Sequence, residues 1–298
     1  MRNYMADMLA YWRYDNYMRD LAEGAGFNFN SKQARLHSVL NEGESLWLVT
    51  GRRETGRIGM AYYIVARLVV RSKTFNAPEY KYGKYRVWGD LDRSKYYQVG
   101  LQESSALLRQ LQFSNNLSIG ETDKELALYF QSMRQLSEAD TALLETWCIS
   151  LPLEQTAYAI LPEYQLEEAV EKDEEAVKKV IREYQSGLAE YRVNHLIQQP
   201  ARSRVLSRQI HQMYNSRCQI CGFDPVLIYG VEACHSHHLI YLSRGGEDSL
   251  DNMVLLCPNH HSVIHATDAV FDFRDLSFIF AANHRERLAF NHHLNANS

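Results

Sequence analysis

The chain has 298 residues, 46% of them hydrophobic, with a formal net charge of −4. This length suggests two domains rather than one, and the composition supports ordinary globular cores. No run of about 18 apolar residues occurs, and MRNYMADMLAYW lacks a signal peptide's unbroken apolar stretch and cleavage site. The expectation is a cytoplasmic protein with no membrane partner.

In chain order, residues 3–22 read as a helix, because Met5, Leu9 and Trp12 recur at helical spacing and Gly24 follows as a stop. Ser31 is a candidate cap for a second helix running to about Asn41, with Gly43 past its end. ESLWLV and AYYIVARLVV are rich in aromatic and β-branched residues and flank GRRETGRIG, which predicts a hairpin with a long basic loop. YRVWGDL is a third strand. From Gln102 to Cys148 helical spacing returns in ALLRQLQF, in KELALYFQSMRQL and in EADTALLETW, started by Ser137. A charged helical stretch at 163–198 connects to the last domain, with Pro200 marking the break. The expected domains are 1–150, a helical linker at 151–200, and 201–298.

Charge is uneven along this order. Residues 52–97 hold eleven Lys/Arg against four Asp/Glu, and 191–217 hold five Arg and no acid, whereas 163–190 carries nine acids against four bases. Basic blocks suit a polyanion, whose counterions are released on binding; the alternative is a solvated surface.

The five cysteines are Cys148, Cys218, Cys221, Cys234 and Cys257. An odd count in a cytoplasmic setting speaks against a disulfide framework, and the crowding of four in the last third points to metal. Cys218-Gln-Ile-Cys221 is a CxxC knuckle, and Cys257-Pro-Asn-His260 is a CxxH pair. Together they give the tetrahedral donor set of a structural zinc. Between the knuckles, VEACHSHHLIYL reads as a strand, with His235 and His237 on one face and His238 on the other. The loop SRGGEDSLDN leads to a second strand, MVLL. Pro258 then opens a helix on which His261 and His265 share a face. One strand histidine and two helix histidines can converge on one metal, leaving a neighbouring strand histidine for proton chemistry.

HHLIYLSRGGEDSLDNMVLLCPNHHSVIH resembles the HNH nuclease signature, a β-hairpin and helix folded around one metal. The resemblance covers about residues 215–270. The paired histidines, Gly245-Gly246, Asp251-Asn252 and the final histidines recur in order, at spacings similar to those of the colicin nucleases. It implies that His237, His261 and His265 hold a catalytic divalent ion, Mg²⁺, Mn²⁺ or another transition metal. It implies that His238 is the general base for phosphodiester hydrolysis and that Asn252 holds the loop that orients it. Cys218, Cys221, Cys257 and His260 would form a separate structural Zn²⁺ site. The family's second knuckle often ends in Cys-His, where this chain has His260-His261, so which histidine serves which metal stays open. His235 is either an extra ligand or phosphate contact, or an exposed strand residue; Cys234 reads as a small core residue. Arg244, before the Gly-Gly pair, is a candidate nucleic-acid contact.

The segment from LNEGESLWLV through YYIVARLVV to YRVWGDL resembles the opening of PUA-like readers, including EVE domains. LLRQLQF and LALYFQSMRQLSEADTALLE look like segments beside HNH modules in modification-dependent restriction enzymes. This likeness covers about residues 30–147 and has no diagnostic motif, and the helix expected at 3–22 is extra to it. It implies an α+β chain: an N-terminal PUA-like mixed β-barrel with helices, a helical linker, and a zinc-stabilised ββα-metal domain. It implies base flipping, with Trp47, Tyr62, Tyr63 and Trp88 as candidate pocket walls and Asp90 as an acceptor; core packing is the alternative for each aromatic. Arg52 and Arg53 are candidate phosphate contacts.

The leading expectation is a metal-dependent endonuclease acting on double-stranded DNA carrying modified cytosine. An HNH nuclease acting on unmodified DNA and a non-catalytic zinc-containing DNA-binding protein are the alternatives. Double-strand cleavage by a one-site nuclease favours a homodimer, with 163–198 a candidate interface.

Overall fold

The computed structural model describes residues 7–24, 26–115, 122–184, 190–198 and 200–297. The chain divides into two compact units. One comprises Met1–Asp20, Phe27–Lys73 and Tyr85–Ala157; the other comprises Leu21–Gly26, Thr74–Lys84 and Tyr158–Ser298. Among the described residues no helix is long and apolar enough to cross a membrane.

In the first unit, β1 (Met8–Tyr11) precedes α1 (Tyr14–Glu23), β2 (Asn28–Ser31) and α2 (Arg35–Val39). Then come β3 (Ser45–Arg52), β4 (Ala61–Phe75), β5 (Tyr85–Gly89), β6 (Lys95–Tyr96), α3 (Ser105–Leu108), α4 (Asp123–Tyr129), β7 (Arg134–Gln135) and α5 (Glu138–Cys148). The strands run in the order β2-β5-β4-β3-β1-β7, with β6 paired to β4. β3 and β4 form the expected hairpin, with Arg52 opposite Ala61. The single helix expected at 3–22 is instead a strand and a helix, and residues 1–6 lie outside the described residues. β1 pairs in parallel with β3, Leu9 opposite Trp47, and Met8, Leu9 and Ala10 are all buried. A strand covered on both faces loses the alternation that would distinguish it from a helix. The described strand path is open, with β2 and β7 at its ends, and is not a closed barrel. The helix expected through MRQL ends earlier, because Arg134–Gln135 pairs with β1.

In the second unit, the stretch expected as one charged segment is α6 (Glu163–Lys172), α7 (Glu174–Tyr184) and α8 (Glu190–Ile197). These helices share a core that includes Leu161, Leu166, Val170, Val177, Ile181 and Leu196, to which Leu242 adds. Next come α9 (Pro200–Tyr214), α10 (Pro225–Tyr229), β8 (His235–His238), β9 (Met253–Leu256), α11 (Pro258–Thr267), and a sheet of β10 (Val270–Asp272), β11 (Ser277–Ile279) and β12 (Arg285–Arg287). The strand expected across VEACHSHHLIYL is confined to four residues. The end of β4 and the segment after it, Thr74–Lys84, belong here too. Phe273 N–H donates to Phe75 O at 3.1 Å, Phe75 N–H to Asp272 Oδ1 at 2.9 Å, and Asn297 Nδ2 to Asn76 O at 2.8 Å.

Candidate active site

β8 and β9 are antiparallel, with His237 opposite Val254 and His238 opposite Met253. All four residues of β9 are buried, so the histidine strand rests on an apolar floor worth about 1.5–3 kcal/mol per large side chain. Pro258 occupies the first turn of α11, where its missing N–H costs nothing, and Ile264 anchors the helix in the same core. The loop between the strands is fixed by its own residues. Asn252 Oδ1 accepts the Ile240 N–H at 2.8 Å, while its Nδ2 donates to Ile240 O at 2.9 Å and Glu247 O at 2.8 Å. Gly246 crosses so close to Ile240 that a Cβ there would lie 1.8 Å from the carbonyl oxygen. Arg244 pairs with Asp268 at 2.8 Å and covers the Tyr241 ring, so in this structure it braces the loop.

His237 Nδ1, His261 Nε2 and His265 Nε2 converge on one oxygen, Oε2 of Glu167 on α6, at 3.3, 3.0 and 2.9 Å. The Nε2 atoms of His261 and His265 are 3.1 Å apart. These four donors lie within 4.8 Å of one another. Their spacing suits a divalent ion, since bonds of about 2.0–2.1 Å in a tetrahedron give edges of about 3.3 Å. Burial lowers the His237 pKa to about 4 despite the facing carboxylate, keeping that ring neutral with a lone pair to give. For Glu167, burial opposes ionisation, but the hydrogen bonds from His237, His238 and His261 hold its carboxyl well below the usual range. His235 stacks on His261, with ring centroids 5.0 Å apart, beside the cluster.

His238 stands next to this group but apart from it. Its Nδ1 lies 3.2 Å from Glu167 Oε1 and its Nε2 3.1 Å from Asp248 Oδ1. Burial works against charge on this ring, but the hydrogen bonds to Asp248 and Glu167 outweigh it and raise the pKa to about 10. Glu163, one turn before Glu167, accepts the N–H groups of Leu242 and Ser243 at 2.6 and 2.8 Å.

A second donor set lies at the knuckles. Cys218, Cys221, Cys257 and His260 place their ligand atoms within 4.8 Å of one another. His260 Nδ1 is 3.5 Å from Cys218 Sγ and 3.2 Å from Cys257 Sγ, and Cys221 Sγ is 4.0 Å from Cys257 Sγ. Burial pushes the Cys218 thiol up to about 12, so a bound cation is what would favour its thiolate. His260 therefore sides with the cysteines and His261 with the other histidines, the assignment that sequence left open. Cys234 is a buried free cysteine.

The family model described as HNH endonuclease matches residues 218–267, the segment that carries the knuckle donors and the three histidines of the first set, but not Glu167. The chain contains an HNH endonuclease domain. A curated relative, the type IV methyl-directed restriction enzyme EcoKMcrA of Escherichia coli (strain K12), is 32% identical over 91 residues, 30% of this chain and 33% of that protein. A solved structure, the modification dependent TagI restriction endonuclease, aligns at 12% identity and a TM-score of 0.25, covering 90% of this chain and 65% of that one. The chain thus spans a third of the curated relative's length. Around the HNH domain, sequence reasoning missed Glu163, Glu167 and Asp248. The two glutamates sit in an acidic stretch read as a connector; their one signal was spacing four apart on a helix.

The first unit holds the remaining candidates. Trp47 is fully buried, its indole N–H donating to Asp7 Oδ2 at 3.1 Å, and Tyr62 packs in the same core. Trp88 is also buried. These rings are interior packing rather than walls of an open pocket. Tyr63 donates its hydroxyl to Glu54. Asp90 Oδ1 accepts the N–H groups of Asp92 and Arg93, both at 3.0 Å, which commits it to a turn. Arg52 and Arg53 line a cavity of about 570 Å³ with Tyr11, Arg13 and Tyr14.

Proposed function

We propose that the protein is a metal-dependent DNA endonuclease of the modification-dependent restriction type. One observation carries the reading: three imidazoles converge on one point of a ββα unit, with a fourth beside them. His237, His261 and His265 are the ligands of a divalent ion, and His260 with the three cysteines holds a zinc that fixes the knuckles. The catalytic ion, when bound, polarises the phosphodiester and stabilises the leaving oxygen. His238 takes the proton of the attacking water once one of its nitrogens is released from Glu167 or Asp248 and the ring is neutral. Asn252 keeps the loop in the conformation that aims that ring.

The choice of DNA belongs to the first unit. EcoKMcrA, the relative 32% identical over 91 residues, is named as methyl-directed. The cavity lined by Tyr11, Tyr14 and the arginines offers aromatic edges and cationic groups for a base turned out of the duplex. Cutting both strands of a duplex calls for two copies of the site, hence a homodimer.

The test is cleavage of matched plasmids carrying cytosine, 5-methylcytosine or 5-hydroxymethylcytosine, with Mg²⁺ or Mn²⁺. Cutting restricted to modified DNA is expected. Replacing His238 with Ala should leave the protein folded and slow cleavage by about 10²–10⁴-fold. Equal cutting of all three plasmids sinks the reader. A fully active His238→Ala protein sinks the assigned base.

A further inference from the structure

The HNH site is closed by the chain itself. Glu163, Glu167 and Glu171 recur every fourth residue, on one face of α6. Glu163 accepts the Leu242 and Ser243 amides, and Glu167 faces all four site histidines besides accepting the His238 N–H at 2.7 Å. Glu171 accepts hydrogen bonds from the Ser236 and Ser207 hydroxyls. Carboxylates four residues apart are spaced about 6 Å along a helix, the scale of the step between successive phosphates of a nucleic-acid strand. Arg192 of α8 reinforces the contact by donating to the Ser243 carbonyl.

Three observations set this contact against turnover. Glu167 Oε2 takes the fourth position of a tetrahedral ion at the three-histidine set, the one that a catalytic zinc site keeps open for substrate or water, and one of the free positions of a six-coordinate Mg²⁺ or Mn²⁺. Both nitrogens of His238 face carboxylate oxygens, at 3.2 and 3.1 Å, in the space that an attacking water would need. His237, His238 and His261 are at most 3% exposed, so a phosphodiester cannot reach them. The contact is also polar where a permanent one gains more from apolar packing. The helices α6–α8 keep a core of their own, with Leu242 the ββα residue in it. The oxygens of Glu163 already have backbone N–H donors, so the acidic face has no need of a second cation.

We propose that α6 is an internal substitute for a DNA strand: its carboxylates occupy phosphate positions, Glu167 that of the scissile phosphate, and DNA must displace the helix before it is cut. This rests on the nuclease reading above. The test compares the unaltered full-length protein with two variants, Glu171→Gln at the edge of the face and the triple Glu163→Gln/Glu167→Gln/Glu171→Gln. Hydrogen exchange of the unaltered protein, with and without a modified duplex and Mg²⁺, should show protection of residues 163–172 that falls when DNA binds. Duplex affinity should rise about tenfold in the triple variant and less in Glu171→Gln, as for release of a helix that competes with DNA. Protection of α6 that persists while the unaltered protein binds and cuts DNA overturns the proposal and keeps the nuclease. So does slower cutting by the variants at unchanged affinity, which would make Glu167 a working ligand. An unaltered protein that neither binds nor cuts the duplex overturns both readings.

Discussion

At the scale of single residues, the domain depends on backbone as much as on histidines. Gly246 is the clearest case. The atom that a Cβ would meet is the Ile240 carbonyl oxygen, which cannot rotate away, and the next nearest are backbone too. Gly246→Ala should therefore open the loop that Asn252 ties, lowering both thermal stability and cleavage, as a melting curve and a single-turnover assay would show. An alanine that changed neither would mean that the loop tolerates the shift. The same residues explain what was legible beforehand. The paired histidines, the Gly-Gly step, Asn252 and the knuckles carry chemistry at fixed spacing and could be placed without coordinates. Glu167 could not, because a glutamate among nine acids in 163–190 looks like any solvated charge until the fold shows what it faces. Trp47 and Tyr62 were ambiguous for another reason: an aromatic on a strand reads alike as pocket wall or core, and only burial on both faces of the sheet decides.

At the scale of elements, local signals succeeded where a terminus was marked chemically. Ser137 starts α5 with a full capping box, its Oγ accepting the Asp140 N–H at 3.1 Å while Asp140 Oδ2 accepts the Ser137 N–H at 2.9 Å. Asp140 also accepts the N–H groups of Gln112 and Phe113, both at 2.9 Å. Ser137→Ala should cost about 1 kcal/mol in urea unfolding. Asp140→Ala should cost more, because buried amides lose their acceptor as well. Equal losses would show that the two extra amides find other partners. The knuckles hold another pair of elements, since Cys218 and Cys221 precede α10 while Cys257 and His260 lie where α11 begins. Cys218→Ser should lower zinc content and the melting temperature together, and a strong chelator should do the same to the unaltered protein. A chelated protein with an unchanged melting temperature would argue against a structural ion. Missed elements share one cause. β1 and β7 are short and pair with partners far away in sequence, which no local window can register.

At the scale of the whole molecule, the boundary expected near residue 150 does not describe a simple succession of units. The unit that contains the HNH domain also takes in 21–26 and 74–84, and it begins again at Tyr158, so the helices read as a linker lie inside it. A fragment of residues 158–298 would lack the Phe75 and Asn76 partners of Phe273, Asp272 and Asn297, as well as Ala77 from the core. It should melt below the corresponding transition of the intact chain in calorimetry. A fragment as stable as the whole would mean that these bonds are redundant.

That interleaving bears on how such a gene can change. A cassette with one border on each side is exchanged by a single crossover at either end, and combinatorial families arise that way. Here a crossover within the borders of the first unit carries 74–84 off with its neighbours and leaves the nuclease short of residues it packs against. Changes on this frame should therefore be tolerated as point substitutions in the first unit more readily than as wholesale exchange of it. A chimaera intended to retarget the enzyme should keep residues 74–84 with the nuclease they serve.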